Sequence, residues 1–338
     1  MTNRLKKKLN IKEAIGKRLY YDVTGIIPKE FKGPIFRKGH LIKKNDIKKL
    51  LEAGKDNIWV LKLDKDEYHE NEAGVKFKKL AGKNVKCEGP IEGKITFISK
   101  IDGLFIIERE VVYKINRIKD ILLATKPGFI KVKKGDKLGG IRILPLATKR
   151  KNVERVLKFK KLFNVLPFKS KKVGLIITGN EIFYGRIKDK FQPVIEEKIS
   201  EYGSLIISKK ILPDDENLIK EEILRLKKFC DLIIITAGMS VDADDVTVLA
   251  MKKAKVKILR RGTPVLPGNM LHIGYLGKIP VFGVPACLIH DKITSFDIFL
   301  PLALADVKIT KEMILSKSYG GFCAHCEICV YPNCYFGK

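Results

Sequence analysis

The first part of the chain shows one helical pattern followed by one strand pattern. Asn45-Asp46 precede apolar residues spaced for one helical face, and Ala53-Gly54 follow them, which predicts a short capped helix. The apolar run Ile58–Leu61 then predicts a strand. Mixed helix and strand patterns of this kind indicate a small α+β unit.

A different sequence pattern begins near residue 80 and continues to about residue 147. Short β-rich runs are separated by Gly and Pro, and apolar and polar residues alternate in Lys94–Ile98. This pattern predicts hairpins in a small barrel or sandwich. The lysine-rich segment 148–172 that follows predicts a helix and a linker.

From residue 171 onward, apolar strands alternate with amphipathic helices. Strands are predicted at Val173–Thr178, Leu205–Leu212 and Asp231–Thr236, with helices between them and after the last. Such alternation is typical of a parallel, doubly wound sheet whose ligands bind at the carboxyl ends of the strands. We therefore predict an α/β fold with helices on both faces of the sheet.

These changes of pattern divide the chain into five segments. We predict the following boundaries: an α+β segment at 1–75, a β-rich barrel or sandwich at 76–150, a helical linker at 151–171, an α/β domain at 172–312 and a cysteine-rich tail at 313–338.

Composition narrows the class of protein. No run of the sequence has the length and apolarity of a membrane helix, and the basic start lacks a signal-peptide pattern, so we expect a cytoplasmic protein without a membrane partner. The net charge is +29, but the lysines are spread over the whole chain and do not alternate with aromatics. We therefore expect no nucleic-acid partner and attribute the excess to lysines on solvated faces, with which a positive field that helps a polyphosphate ligand approach is compatible.

Four of the seven cysteines lie close together near the end of the chain. Cys323, Cys326, Cys329 and Cys334 form the spacing C-x2-C-x2-C-x4-C, which is typical of metal ligation and difficult to explain by packing. Four thiolates suit Zn²⁺, whereas a C-x2-C-x2-C run also occurs at iron–sulfur clusters. Both metals remain open, and the tight spacing of the first three cysteines favours the cluster.

Three loops that follow the predicted strands carry polar residues. They contain Thr178-Gly179-Asn180-Glu181, Asp214-Asp215, and the segment 237–247, which includes Gly238, Ser240, Asp245 and Thr247. Glycine and serine before a helix suit an anion, and aspartates suit Mg²⁺. Each aspartate alone could instead be a helix cap. The clustering of several carboxylates at one sheet edge favours a ligand site with a metal ion.

The motifs TGNEIFYGRIKDKF, LPDDENLIKEEI, DLIIITAGMSVDADDVT and GTPVLPGNMLHIGYLGKIPVFGVPA resemble the molybdopterin-binding domain of the molybdopterin molybdenumtransferase and gephyrin family. The resemblance covers about 140 residues in order. It implies a three-layer α/β sandwich that binds the phosphate of the pterin in its Gly/Ser loop. The transferases of this family use Mg²⁺ to insert molybdate into adenylated molybdopterin, with release of AMP.

The resemblance also implies roles for individual residues. The implied binding residues are Thr178, Gly179, Asn180, Gly238, Ser240, Thr247, Pro267, Gly268 and Pro285, and the implied catalytic carboxylates are Asp245, Asp215, Asp214 and Glu181. Asp245 and Asp215 would hold Mg²⁺ or position molybdate. The chain departs from the family where Ala237-Gly238 replaces a glycine pair.

Three functions follow from the resemblance. The first is insertion of molybdate into adenylated molybdopterin. The second is a non-catalytic carrier that delivers the finished cofactor to a recipient molybdoenzyme. The third is a nucleotide pyrophosphatase of the competence-damage-inducible type, which shares an Asp-Asp-x-Thr element, here residues 244–247. The family resemblance further implies a homo-oligomer.

Overall fold

The computed structural model describes residues 6–27, 31–236 and 246–338, without the side chains of residues 26, 27, 31 and 32. Its first unit contains β1 (Lys6–Asn10), β2 (Arg18–Leu19), β3 (Val23–Ile27), β4 (Phe31–Phe36), α1 (Asp46–Glu52) and β5 (Asn57–Leu61). Strands β1, β5 and β2 form an antiparallel sheet, and β3 pairs with β4. The predicted helix after Asn45 and the predicted strand at Ile58–Leu61 are both present.

The second unit is built from small antiparallel sheets. Its elements are β6 (Glu67–His69), α2 (Glu70–Phe77), β7 (Val85–Ile91), β8 (Lys94–Ser99), β9 (Gly103–Ile106), α3 (Arg109–Asn116), β10 (Ile121–Thr125), β11 (Ile130–Val132), β12 (Lys137–Ile143), β13 (Ala147–Lys149), α4 (Arg150–Leu157) and β14 (Asn164–Leu166). The sheet orders are β10-β12-β8-β7, β11-β9-β14 and β13-β6. The rings of Phe97 and Phe163 stack at 4.0 Å in its core.

The segment expected to be a helical linker contains more than a helix. After α4, strand β14 pairs with β9, with Val165 opposite Phe105. Nothing in the lysine-rich pattern indicates this strand, because its three residues form a strand only through pairing with a segment about sixty residues earlier.

The third unit is the α/β domain. It contains β15 (Lys172–Thr178), α5 (Asn180–Phe183), α6 (Phe191–Ser200), β16 (Leu205–Leu212), α7 (Glu216–Leu226), β17 (Leu232–Thr236), α8 (Val246–Lys253), β18 (Lys257–Arg260), β19 (His272–Leu276), β20 (Ile279–Val284), α9 (Ser295–Leu304) and α10 (Lys311–Ser316). Its six-stranded sheet has the order β16-β15-β17-β20-β19-β18. Strands β16, β15, β17 and β20 are parallel, and β19 is antiparallel to both of its neighbours, β20 and β18.

Helices cover both faces of this sheet. Leu175 and Ile177 of β15 pack in one core with residues of α6 and α9, whereas the intervening Ile176 packs in a second core with residues of α7 and α8. Successive side chains of a strand point to opposite faces, so a continuous apolar strand supplies both cores. The expected three-layer α/β sandwich with a mostly parallel sheet is confirmed. None of the helices in the described part of the chain is long and apolar enough to cross a membrane.

The parallel strands end level with one another. Thr178 at the end of β15 is opposite Leu212, and Thr236 at the end of β17 is opposite Val284. The helix that follows β15 packs on one face, and the helix that follows β17 packs on the other. Strands β15 and β17 are neighbours, so the position between their carboxyl ends is the topological switch point, where open α/β sheets bind ligands.

A buried ion pair connects α7 to the sheet and has a predicted pH dependence. Burial by itself raises the pKa of the Glu222 carboxyl, but hydrogen bonds and charge from Arg225, at 2.6 Å, and Lys210, at 3.5 Å, outweigh it and lower the pKa below 4.5. A carboxyl group whose pKa is lower in the folded chain than in the unfolded chain stabilises the fold at pH values above its unfolded-state pKa. This stabilisation is lost as the pH falls through the folded-state pKa.

Replacing Glu222 by glutamine should therefore lower the free energy of unfolding by about 2 kcal/mol at pH 7, because it removes a buried charge-assisted bond. The difference between variant and wild type should shrink as the pH falls below 4.5. Urea unfolding at several pH values measures both effects. The exposed neighbour Glu221, changed to glutamine, serves as the control and should have little effect. An equal loss in the two variants, or one that does not change with pH, would contradict the assignment.

Candidate functional site

The loop after β15 begins with a residue pair that suits close approach of a ligand. Thr178 is fully buried, and its hydroxyl donates to the carbonyl of Thr236 at 3.0 Å. Gly179 has φ 132°, and a Cβ there would lie 2.7 Å from an oxygen of Glu181. This backbone conformation favours glycine. The exposed residues Asn180 and Glu181 follow in the first turn of α5.

Two hydrogen bonds connect this loop to the loop after β16. The backbone N–H of Asn180 donates to the Asp214 carboxylate at 3.1 Å, and the backbone N–H of Asp214 donates to the Asn180 side chain at 3.2 Å. The two loops therefore meet at one sheet edge, as the parallel arrangement predicted. Asp214 has a positioning contact here, and its carboxylate is exposed.

Asp215 lies beside it and caps α7. One of its carboxylate oxygens accepts from the N–H groups of Asn217 at 2.8 Å and Leu218 at 3.0 Å. This is the usual contact of an N-cap aspartate. The proposed role of Asp215 toward a metal would have to use its other oxygen, and that role stays a prediction.

Thr236 is a polar residue at this edge that was not predicted from the sequence as a site residue. It ends β17, is fully buried, and its hydroxyl has no hydrogen-bond partner in the described residues. Buried hydroxyls are nearly always paired, so an unpaired one at a switch point suits a ligand atom. The sequence contains one signal for it, which is a single polar residue at the end of the apolar run LIIIT.

Two further predicted binding turns lie at the same end of the sheet. Pro267 and Gly268 precede β19. The first residue of β19, His272, is opposite Gly283 near the end of β20. The buried Pro285 directly follows β20. The Gly268 carbonyl accepts from the hydroxyls of Ser295, at 2.6 Å, and Thr263, at 3.2 Å.

These hydrogen bonds fix the turn at Pro267-Gly268 against the start of α9. A Cβ on Gly268 would lie 2.3 Å from the Ser295 hydroxyl oxygen. Thr247, also buried, lies in α8. The proposed ligand roles of these residues stay predictions.

Three residues of the predicted site lie outside the described residues. Gly238, Ser240 and Asp245 belong to segment 237–245, between the end of β17 and the start of α8. In the described ranges, no group of three or more His, Cys, Asp or Glu side chains could hold a metal ion. The donors at this edge, Glu181, Asp214 and Asp215, nevertheless have the oxygen chemistry that Mg²⁺ prefers.

The four tail cysteines line one cavity of about 140 Å³, together with His325 and aromatic side chains. A second cavity of about 470 Å³ adjoins it and is lined by α6, the segment 288–293 and the tail. None of the predicted strand-end residues with a described position lines this second cavity. Burial raises the pKa of the nearby Cys287 thiol, so this cysteine is neutral near pH 7.

Comparison with known protein families identifies the α/β unit. Residues 174–306 match the family described as "Probable molybdopterin binding domain", and residues 8–62 match a domain of unknown function. The α/β domain therefore matches the molybdopterin-binding family, in agreement with the strand order and layers described above.

Curated relatives are similar over short regions. A CinA-like protein of Thermosipho melanesiensis is 36% identical over 89 residues, which are 26% of this chain and 22% of the relative. A protein of Archaeoglobus fulgidus is 31% identical over 80 residues, which are 24% of this chain and 35% of the relative. The chain thus spans about a fifth to a third of the length of the curated relatives that it matches.

Solved structures show low overall similarity. The molybdopterin biosynthesis enzyme MoaB of Thermus thermophilus is 20% identical and covers 41% of this chain and 98% of its own, with a TM-score of 0.33. The molybdopterin biosynthesis MoeA protein of Pyrococcus horikosii is 14% identical and covers 90% of this chain and 76% of its own, with a TM-score of 0.34. The fold assignment rests on the sheet topology and the family match.

Proposed function

We propose that the protein binds adenylated molybdopterin at the carboxyl edge of its α/β sheet and inserts molybdate with release of AMP. The observation that supports this proposal best is the junction of the two loops through Asn180 and Asp214, at the sheet edge where the buried Thr236 hydroxyl has no hydrogen-bond partner among the described residues. This junction of two loops lies in the domain that matches the molybdopterin-binding family.

Mg²⁺ is the expected ion of this reaction. When bound, it would neutralise charge on the pyrophosphate as AMP leaves. Asp215 and Asp245 are the proposed ligands, and Glu181 and Asp214 supply further negative charge at the edge. Gly238 and Ser240 are the proposed phosphate contacts, with Thr178, Gly179, Thr247 and the turns at Pro267-Gly268 and Pro285 shaping the pocket. The chain's net charge of +29 attracts an anionic substrate.

The proposed reaction is tested on protein loaded with adenylated molybdopterin. Addition of molybdate and Mg²⁺ should release AMP, measured by liquid chromatography, and neither addition alone should do so. Binding without AMP release would identify a carrier that delivers the cofactor to a recipient molybdoenzyme. Absence of pterin binding would reject both functions.

The curated relatives support a second candidate function. Several of them are CinA-like proteins that match over part of their length. This favours a nucleotide pyrophosphatase as the alternative, with ADP-ribose as the test substrate. Hydrolysis of ADP-ribose by the full chain, without AMP release from the loaded pterin, would favour this alternative.

Replacement of each proposed metal ligand by asparagine separates helix capping from metal binding. Asparagine caps a helix as well as aspartate does, so Asp215→Asn should leave the free energy of unfolding within about 0.5 kcal/mol of wild type. If Asp215 binds Mg²⁺, AMP release should fall by at least ~10-fold, because a carboxylate ligand is lost. The same loss is expected for Asp245→Asn.

Steady-state AMP release over a Mg²⁺ titration measures these effects, with Asp231→Asn, at the opposite end of β17, as the control. Full activity of Asp215→Asn would show that this residue only caps α7. Full activity of both site variants would reject the proposed metal site.

A further inference from the structure

The tail that follows α10 is held at both ends and open in the middle. At its start, the N–H of Cys323 donates to the Leu266 carbonyl at 2.8 Å, and the N–H of Leu266 donates to the Gly321 carbonyl at 2.8 Å. At its end, the buried Lys317 ammonium donates to the Gly337 carbonyl at 2.7 Å. These contacts hold the end of the tail close to its start.

The four cysteines are distributed along this loop in a regular way. Cys323 and Cys334 lie near its two fixed ends and pack against the core of the α/β domain. Cys329 is half-buried and Cys326 is exposed, on the stretch between them. All four line the cavity of about 140 Å³, which we call the cysteine cavity. A loop of this length would have no packing reason to direct four thiols to one space.

The space that the four cysteines line distinguishes between the two candidate metals. A single Zn²⁺ binds thiolates at ~2.3 Å, which brings the four sulfurs into mutual contact and leaves no cavity between them. The four cysteines here line one cavity of about 140 Å³, and a cubane cluster, whose own iron and sulfide atoms separate its cysteines, needs such a space.

The lining of the cavity also suits a cluster. Ile293, Val330, Tyr331 and Phe336 supply apolar and aromatic walls, and Phe336 is almost completely buried. Such walls limit solvent access, which stabilises and tunes iron–sulfur centres. Lys292 and Asp291 line the same cavity. The Lys292 ammonium would offset part of the negative charge of a four-thiolate cluster, and the Asp291 carboxylate would add to it.

We infer that Cys323, Cys326, Cys329 and Cys334 bind one [4Fe–4S] cluster in the cysteine cavity. On binding, each thiol loses its proton to solvent as its sulfur bonds to one iron of the cluster, and the protein undergoes no oxidation. The cluster closes the exposed part of the loop around Cys326 and holds the tail against α6 and α9. This site is separate from the strand-end edge, so it does not depend on the proposed function.

The test uses the full chain, reconstituted without oxygen with iron and sulfide, and in parallel with Zn²⁺. We expect about four iron and about four sulfide per chain, with the visible absorption of a thiolate-bound cluster. Cys326→Ser should lose most of this iron, because it removes one ligand from an exposed position. Cys87→Ser, in β7, is the matched control and should keep it.

A second measurement on the wild-type chain makes the result independent of variant folding. With the cluster bound, the four tail cysteines should react with iodoacetamide at least ~10-fold more slowly than in the cluster-free chain, as followed by mass spectrometry, whereas Cys87 should react equally in both. One zinc per chain without sulfide, equal iron in Cys326→Ser and Cys87→Ser, or unprotected tail thiols would each overturn the inference. Pterin binding is also measured on Cys326→Ser. Unchanged pterin binding by this variant would show that a failure of the cluster inference leaves the proposed function intact.

Discussion

Replacing Gly268 by alanine should lower the free energy of unfolding by about 4 kcal/mol. Gly268 has φ 102°, and an added Cβ would lie 2.3 Å from the Ser295 hydroxyl oxygen and 2.8 Å from the Ser295 backbone nitrogen. The backbone strain costs about 1–2 kcal/mol and the overpacking about 1–3 kcal/mol. The Ser295 nitrogen belongs to the first turn of α9, so the helix itself must move.

The matched control is Gly277→Ala, in the turn between β19 and β20. Gly277 also has positive φ, at 67°, but no atom lies within 4 Å of the added Cβ. Its loss should be only about 1 kcal/mol, from the backbone strain alone. Urea unfolding measures both variants. Equal losses would mean that backbone conformation, and not the contact with α9, determines the cost at Gly268.

Replacing Thr236 by valine should produce effects of opposite sign on binding and on stability. Valine has the same shape without the hydroxyl. Because that buried hydroxyl has no partner in residues 6–27, 31–236 and 246–338, its removal should raise the free energy of unfolding by about 1 kcal/mol. If that hydroxyl receives or donates a bond to the charged pterin, its loss should weaken binding by about 10-fold to 100-fold. Thr178 keeps its bond, since that bond uses the Thr236 carbonyl.

Thr236→Ser is the control because it keeps the hydroxyl and removes the methyl group. It should bind the pterin nearly as well as wild type and should lose about 1 kcal/mol of stability. Pterin fluorescence titration and urea unfolding report the two quantities separately. If Thr236→Val bound the pterin with unchanged affinity, the hydroxyl would have no role toward the ligand.

The elements of the α/β domain could be predicted because its central strands β15 and β17 are nearly continuous apolar runs. Val173–Thr178 is buried along its whole length, and burial leaves a pattern that can be seen without the fold, whereas Leu205–Leu212 is the edge strand and buries only Leu212. The meeting of the first two loops was also predictable, because parallel strands place their carboxyl ends at one edge. Strand β14 was not predictable, since its residues are strand-forming only when β9 is beside them.

The candidate site likewise contains residues that could be predicted from the sequence and contacts that could not. Asp215 was selected as a metal ligand and as a possible cap, and the structure shows the capping contact with Leu218. The hydrogen bonds between Asn180 and Asp214 join residues 34 positions apart, and no local pattern encodes such a pair. Thr236 could not be distinguished from any other strand-ending threonine until its surroundings were known.

The amino-acid sequence by itself determined the α/β class, the order of the polar loops and the spacing of the tail cysteines, because local periodicity and residue chemistry carry that information. Only the tertiary structure decided that the Thr236 hydroxyl is buried without a partner among the described residues and that the four cysteines surround one cavity. Both facts depend on which distant segments pack together, and packing is a property of the folded chain, not of any one stretch of it.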